Sequence, residues 1–139
     1  MTHFEEIIIT TKGNCDIVNI TDEISAVINK SAVRNGIATV FAIGSTAGLT
    51  TIEYEPGLLK DIPKFLDKII PPVGSYKHND TWGDGNGHSH LRSALIKTSL
   101  TIPIVNSEMT LGTWQQIVFL DFDNRPRTRR IAVQVMGDK

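Results

Sequence analysis

Between positions 78 and 90 the chain reads HNDTWGDGNGHSH, placing three of its four histidines within thirteen residues, beside aspartate, asparagine and tryptophan. Imidazole nitrogens and carboxylate oxygens are the ligands of a divalent transition metal such as zinc, and a loop can converge groups that a regular element would point apart. His78, His88 and His90 are therefore candidate metal ligands, with Asp84 completing the shell or orienting an imidazole from behind. The spacing matches no established zinc signature. The same histidines could instead serve as acid and base without metal, or simply bond backbone carbonyls, and Asp84 to Gly87 also reads as a pair of turns. His88 and His90 share one face of an extended segment but lie about 200° apart on a helix, so joint ligation requires a helix that starts after them, with Ser89 as a candidate N-cap.

Two other places carry polar chemistry. GSTAGLT (44 to 50) joins two strand-like runs through small and hydroxylated residues, so Ser45 and Thr46 could cradle a phosphate in a backbone nest, or form only a tight turn. Glu53, in the strand that follows, is a candidate base or an ordinary solvated carboxylate. Arg125, Arg127, Arg129 and Arg130 form the single local basic cluster, suited to holding phosphate or to protecting an edge strand.

The elements that must position these groups alternate in period. FEEIIITT (4 to 11) and DIVNI (16 to 20) are β-branched runs separated by KGNC, which predicts a first hairpin. Thr21 is an N-cap candidate for a helix over 21 to 34, with Ile24, Val27 and Ile28 at helical spacing and Asn35-Gly36 as its stop. IATVFAI (37 to 43) and LTTIEYE (49 to 55) read as strands. Leu58, Ile62, Phe65, Leu66 and Ile69 predict a second helix despite Pro63. Residues 71 to 87 have no periodicity, which marks a functional loop. HLRSALIK is a short third helix, and SLTIPIV, MTLGTWQQIVFLDFD and TRRIAVQVMG are strands. About seven strands clustered at both ends and three helices predict one α+β domain over 1–139, an antiparallel-rich mixed sheet or sandwich with helices packed on it.

Composition narrows the partners. With 139 residues, 14 Lys+Arg and 15 Asp+Glu, the chain lacks the positive excess of a nucleic-acid or membrane-surface binder. A lone cysteine, Cys15, cannot close an intramolecular disulfide, and the N-terminus has no basic start followed by an apolar run, so a cytoplasmic location is expected.

LGTWQQI (111 to 117), preceded by SLTIPIV and by HNDTWGDGNGHSHLRSAL, resembles the YjbQ-like family, also called secondary thiamine-phosphate synthase. The resemblance covers nearly the whole chain, including GSTAGLTTIEYEPGLLKD and FDNRPRTRRIAVQVMG. It implies an α+β subunit assembling as a homotrimer, with a polar pocket near subunit boundaries built around the loop histidines. It further implies coupling of a pyrimidine pyrophosphate to a thiazole phosphate with release of pyrophosphate, although the physiological reaction of such a secondary activity is open. Family histidines carry over to His78 and His90, with Asp84 and Asn86 between them, and His88 belongs to only some members. Gly44 stands where many members have histidine, and Ser107 where glycine is usual, so the hairpin there is expected to distort or to adopt negative φ.

The expected substrate is thus a phosphorylated small heterocycle, bound through Asn86, Ser45, Thr46, Arg125 and Arg127, with His78, His90, Asp84 and Glu53 at the chemistry. Zinc or Mg²⁺ is the expected metal and no organic cofactor is expected. The alternatives are a metal-dependent hydrolase of small phosphoesters and a non-catalytic trimeric protein that binds a metal or a metabolite.

Overall fold

The computed structural model describes all 139 residues, and its central feature is a strand buried on both faces. In β7 (Gln115–Asp121) the run from Ile117 to Leu120 is buried at every position, which requires cover on two sides. On one side lie α1 (Thr21–Ser31) and a five-stranded sheet in the order β1 (Thr2–Thr11), β8 (Arg127–Asp138), β3 (Asn35–Ala42), β5 (Ser99–Val105), β6 (Glu108–Met109). Strand β7 is itself the centre of a second sheet, flanked by β2 (Asp16–Asn19) and β4 (Ala47–Glu53). Its other face is covered by α2 (Pro56–Ile69) and α4 (Gly87–Ile96), with α3 (Lys77–Trp82) as a single short turn of helix between them.

Every strand pair is antiparallel, so the fold is an α+β sandwich of eight strands and four helices, with no parallel component. Alternation along each strand sends Ile7, Val40, Ile104, Ile131 and Val133 into the main core, where Ile24, Val27 and Ile28 of α1 meet Phe119. The smaller core packs Leu66 of α2 and Phe122 against Val118 and Leu120.

Several local expectations change. The first two strands do not form a hairpin: β1 pairs with β8 and β2 with β7, because Gly13, Asn14 and Cys15 all take positive φ and carry the chain from one sheet to the other. Thr21 begins its helix rather than capping it, and its hydroxyl accepts from the Ile117 amide at 2.9 Å. In α2 the packed face is Leu59, Ile62 and Leu66, leaving Phe65 and Ile69 exposed, and Pro63 sits inside a helix that starts with Pro56 under the Glu55 cap. The aperiodic segment contains α3, too short to show a period. Ser107 keeps positive φ, at 69°, after Asn106 at 52°, so the tight β5–β6 turn holds its left-handed geometry without glycine. No helix is long and apolar enough to cross a membrane.

Candidate functional site

Two loops that cross from one sheet to the other, 43 to 46 between β3 and β4 and 122 to 126 between β7 and β8, meet the start of α4 at one edge of the sandwich. Because β4 pairs with β7 with Ala47 opposite Asp121, the loop 44 to 46 lies beside the C-terminal end of β7. That end runs from apolar core directly into Asp121 and Asp123, which are 0% and 1% exposed. Buried carboxylates require partners, and β8 brings them. Arg129 donates to Asp121 through Nε at 2.7 Å and Nη2 at 2.8 Å, and Nη2 also donates to Thr46 Oγ1 at 2.7 Å. Arg127 Nε donates to Asp123 Oδ2 at 2.8 Å. Asp121 also accepts from Thr11 Oγ1 at 2.5 Å, and Asp123 from the Asn124 amide at 2.9 Å. Asn86, just before α4, completes the set by donating Nδ2 to Asp123 Oδ1 at 3.3 Å.

These donors decide the charges. Burial pushes the Asp123 carboxyl up, but the hydrogen bonds from Asn124, Arg127 and Asn86 more than reverse it and hold it below its usual range. The hydrogen bonds from Arg129 to Asp121 outweigh the burial of the guanidinium and keep it more firmly protonated than usual.

The histidines stand on this base. Gly87 begins α4, its amide donating to Asn79 Oδ1 at 2.9 Å, and Ser89 is inside the helix rather than capping it. The helix therefore includes both histidines and turns them apart. His90 packs its ring on His78 with centroids 4.3 Å apart and planes at 40°. Asp84 brings Oδ1 to 3.7 Å from His78 Nδ1, within ion-pair range but too long for a hydrogen bond. Burial lowers the pKa of His90, and the neighbouring His78 lowers it further, against the opposing pull of Asp123, Asp84 and a hydrogen bond to the Ser45 backbone. His90 is neutral at pH 7 as a result.

His88 faces away, against Tyr76 and Arg92. The expected three-histidine metal shell is thus not formed: no three His, Cys, Asp or Glu side chains of the chain converge to hold a metal, because a helical register separates residues two apart. The pair His78 and His90, with Asp84 beside His78, is a group suited to proton and hydrogen-bond chemistry.

The wall facing His90 is a cavity of about 290 Å³ lined by Gly44, Ser45, His90, Ser93, Lys97 and Thr98. The amides of Gly44, Ser45 and Thr46 donate to no group in the chain. A Cβ at Gly44 would lie 3.2 Å from Arg129 Nη1, so the missing side chain leaves the guanidinium close to the cavity wall. Lys97 and the unpaired amides of Gly44 and Ser45 are donors among the residues lining this cavity.

The other candidates disperse. Glu53 is at the far end of β4, six residues from Ala47 and hence about 20 Å away, where it lines a different cavity with Tyr54 and Trp114. Arg125 is exposed, and Arg130 points to the opposite sheet face toward Glu6 at 3.6 Å. The edge-protection reading of the arginines fails because β8 is an inner strand between β1 and β3. Sequence reasoning passed over Asp121, Asp123 and Lys97. For the two aspartates the signal was carboxylates at i and i+2 ending an apolar strand, matched by arginines at i and i+2 opening the next, whereas Lys97 carried no such pattern.

Comparison with known proteins agrees with this architecture. The family model described as UPF0047 protein YjbQ-like matches residues 5–138. A UPF0047 protein of Methanothermobacter thermautotrophicus is 41% identical over 133 residues, covering 96% of this chain and 91% of its own length. The Bacillus subtilis UPF0047 protein YugU is 33% identical, covering 92% of this chain and 94% of its own. The crystal structure of a YbjQ-like protein from Sulfolobus solfataricus superposes with a TM-score of 0.94 at 31% identity and covers 99% of each chain. With the same fold, the same span and this level of identity, the chain belongs to the YjbQ-like UPF0047 family.

Proposed function

We propose that this protein is an enzyme acting on a phosphorylated small heterocycle, with a thiamine-phosphate synthase activity of the kind the family resemblance implies. The observation that carries the reading is the juxtaposition of the packed His90–His78 pair with a cavity that His90 lines together with Gly44 and Ser45, whose amides are unpaired, and Lys97.

In such a coupling a C–N bond forms between the thiazole nitrogen and the methylene of the pyrimidine, and the C–O bond to pyrophosphate breaks with its electron pair leaving on oxygen. The residues answer the charge that develops there. Lys97, the amides of Gly44 and Ser45 and the Nη1 of Arg129 stabilise the departing anion, the kind of preorganised donor set that strengthens as charge grows. His90, neutral beside them, hydrogen-bonds the leaving oxygen and shuttles its proton, while His78 and Asp84 hold the ring of His90 in place. Asn86, Thr46 and Arg127 position loop and helix through Asp123 instead of touching substrate.

We further propose a homotrimer. The outer face of the five-stranded sheet exposes Phe4, Ile8, Ile37, Phe41, Val105 and Met136, all 40% or more accessible, which is an apolar surface suited to burial between copies. A cytoplasmic location is part of the same reading, supported by the lone thiol of Cys15.

The test supplies purified protein with the pyrimidine pyrophosphate and the thiazole phosphate and measures thiamine phosphate directly. Formation that is lost in His90→Ala and Lys97→Ala supports the reading. Full turnover in both variants overturns the site, and release of phosphate from simple phosphoesters without coupling would select a hydrolase instead.

A further inference from the structure

The two histidines of the packed pair sit on different helices, and the contact between those helices depends on two residues that take no part in the proposed reaction. Helix α3 is six residues long and buries none of them, so neither its own hydrogen bonds nor an apolar face fixes where it lies. It nevertheless lays the ring of His78 on that of His90, with centroids 4.3 Å apart.

A helix leaves its first amides without partners of its own, and the side chain just before the helix ordinarily fills one of those places. In α4 that residue, Asn86, makes no such bond, because its Nδ2 is given to Asp123. The amide of Gly87 donates instead to Asn79 Oδ1 at 2.9 Å, so a side chain of α3 caps α4. This is the one hydrogen bond that joins the two helices. Asn79 is itself held at both ends of its backbone: its N–H donates to the Tyr76 carbonyl at 3.1 Å, and its carbonyl accepts from the Gly83 amide at 2.8 Å. Fixing its side chain therefore fixes the adjoining His78.

Gly87 permits the same approach from the α4 side. It is buried, and its φ is not positive, so its backbone conformation does not call for glycine. Space does. A Cβ there would lie 2.6 Å from Tyr76 Cβ and 3.0 Å from Asn79 Oδ1, and the start of α3 would have to move away from α4.

We propose that Asn79 and Gly87 form a clasp that sets the contact between His78 and His90, with Asn79 a positioning residue that acts through His78. Its part in catalysis rests on the reading that these two histidines carry out the chemistry, whereas the clasp itself is a matter of geometry and is tested without turnover.

The test reads the nuclear Overhauser effect between the ring protons of His78 and His90 in full-length protein labelled with ¹³C-histidine, beside steady-state coupling rates. Asn79→Leu keeps the shape of the side chain and removes the acceptor, Asn79→Asp keeps the acceptor, and Gly87→Ala adds the Cβ. The ring contact should be present in the unaltered protein and in Asn79→Asp and lost in Asn79→Leu and Gly87→Ala, while the amide resonances of β7 and β8 stay in place. A general loss of structure would move those resonances as well. In the same two variants kcat should fall at least about tenfold with KM within about twofold, and Asn79→Asp should restore kcat. A ring contact that persists in both Asn79→Leu and Gly87→Ala, or is absent from the unaltered protein, overturns the clasp. Loss of the contact with kcat unchanged overturns the positioning role. An unaltered protein that makes no thiamine phosphate overturns the reading of the site instead, and the ring contact still decides the clasp. If Asn79→Leu fails to fold, Gly87→Ala supplies the same comparison.

Discussion

Arg129 grips Asp121 through two parallel hydrogen bonds of 2.7 and 2.8 Å, with the carboxylate fully buried and the guanidinium side chain 11% exposed. The pair ties β8 of one sheet to β7 of the other at the edge where the candidate site lies. Removing one partner leaves an uncompensated charge in the interior, which typically costs about 3–5 kcal/mol. Asp121→Asn should therefore lower the free energy of unfolding by about that amount in urea titration. Arg125→Ala, at an exposed position with no ion pair, should change it by less than about 0.5 kcal/mol.

The proposed reaction predicts different outcomes for the histidines and for the glutamate. General acid–base groups contribute roughly 10²–10⁴-fold to rate. His90→Ala and His78→Ala should each reduce thiamine-phosphate formation by at least about 10²-fold, whereas Glu53→Ala, at the far end of β4, should leave it within about twofold. Steady-state rates for the three variants check this, and a large loss in Glu53→Ala would contradict the placement of the site.

Acid should weaken the fold through two imidazoles. Burial depresses the pKa of both His88 and His90 below the ordinary 6.5, with the charge of Arg92 adding to the effect at His88 and that of His78 at His90. The unfolded chain then binds protons more readily than the folded one below pH 6.5, so stability is present above that pH and lost as pH falls through the folded values. Melting temperature measured from pH 7.5 to 5 should fall, and the fall should be shallower in His88→Phe. An unchanged slope would rule out His88 as a contributor.

Assembly can be checked on the open sheet face. Ile8 and Phe41 project from the outer side of the five-stranded sheet, 67% and 45% exposed. Ile8→Glu with Phe41→Glu should convert a trimer to monomer in light scattering, since charges at the centre of an apolar interface lose their hydration on burial. Both positions face away from the core, so the monomer should remain folded by circular dichroism. A trimer that survives the double substitution would place the interface elsewhere.

Much of the architecture was written in periodicity. The Ile24, Val27, Ile28 spacing makes α1, the alternation in SLTIPIV makes β5, and the continuous IVFL run anticipates a strand covered on both faces. Residue types alone also pointed to His78 and His90, and small residues to the loop at 44 to 46. Pairing was a different matter. Which strand joins β1 depends on Gly13 to Cys15 crossing between sheets, a path that local pattern does not encode. The separation of His88 from His90 followed from where α4 begins, which Asn79 and Asn86 set through contacts across the fold. Asp121 and Asp123 looked like ordinary charges at a strand end, and Arg127 and Arg129 like members of a phosphate-holding or edge-protecting cluster. Only the packing of two sheets buried them together, and burial is what turned surface-type residues into the rigid base of the site, because a charge removed from water must find its partner within the protein.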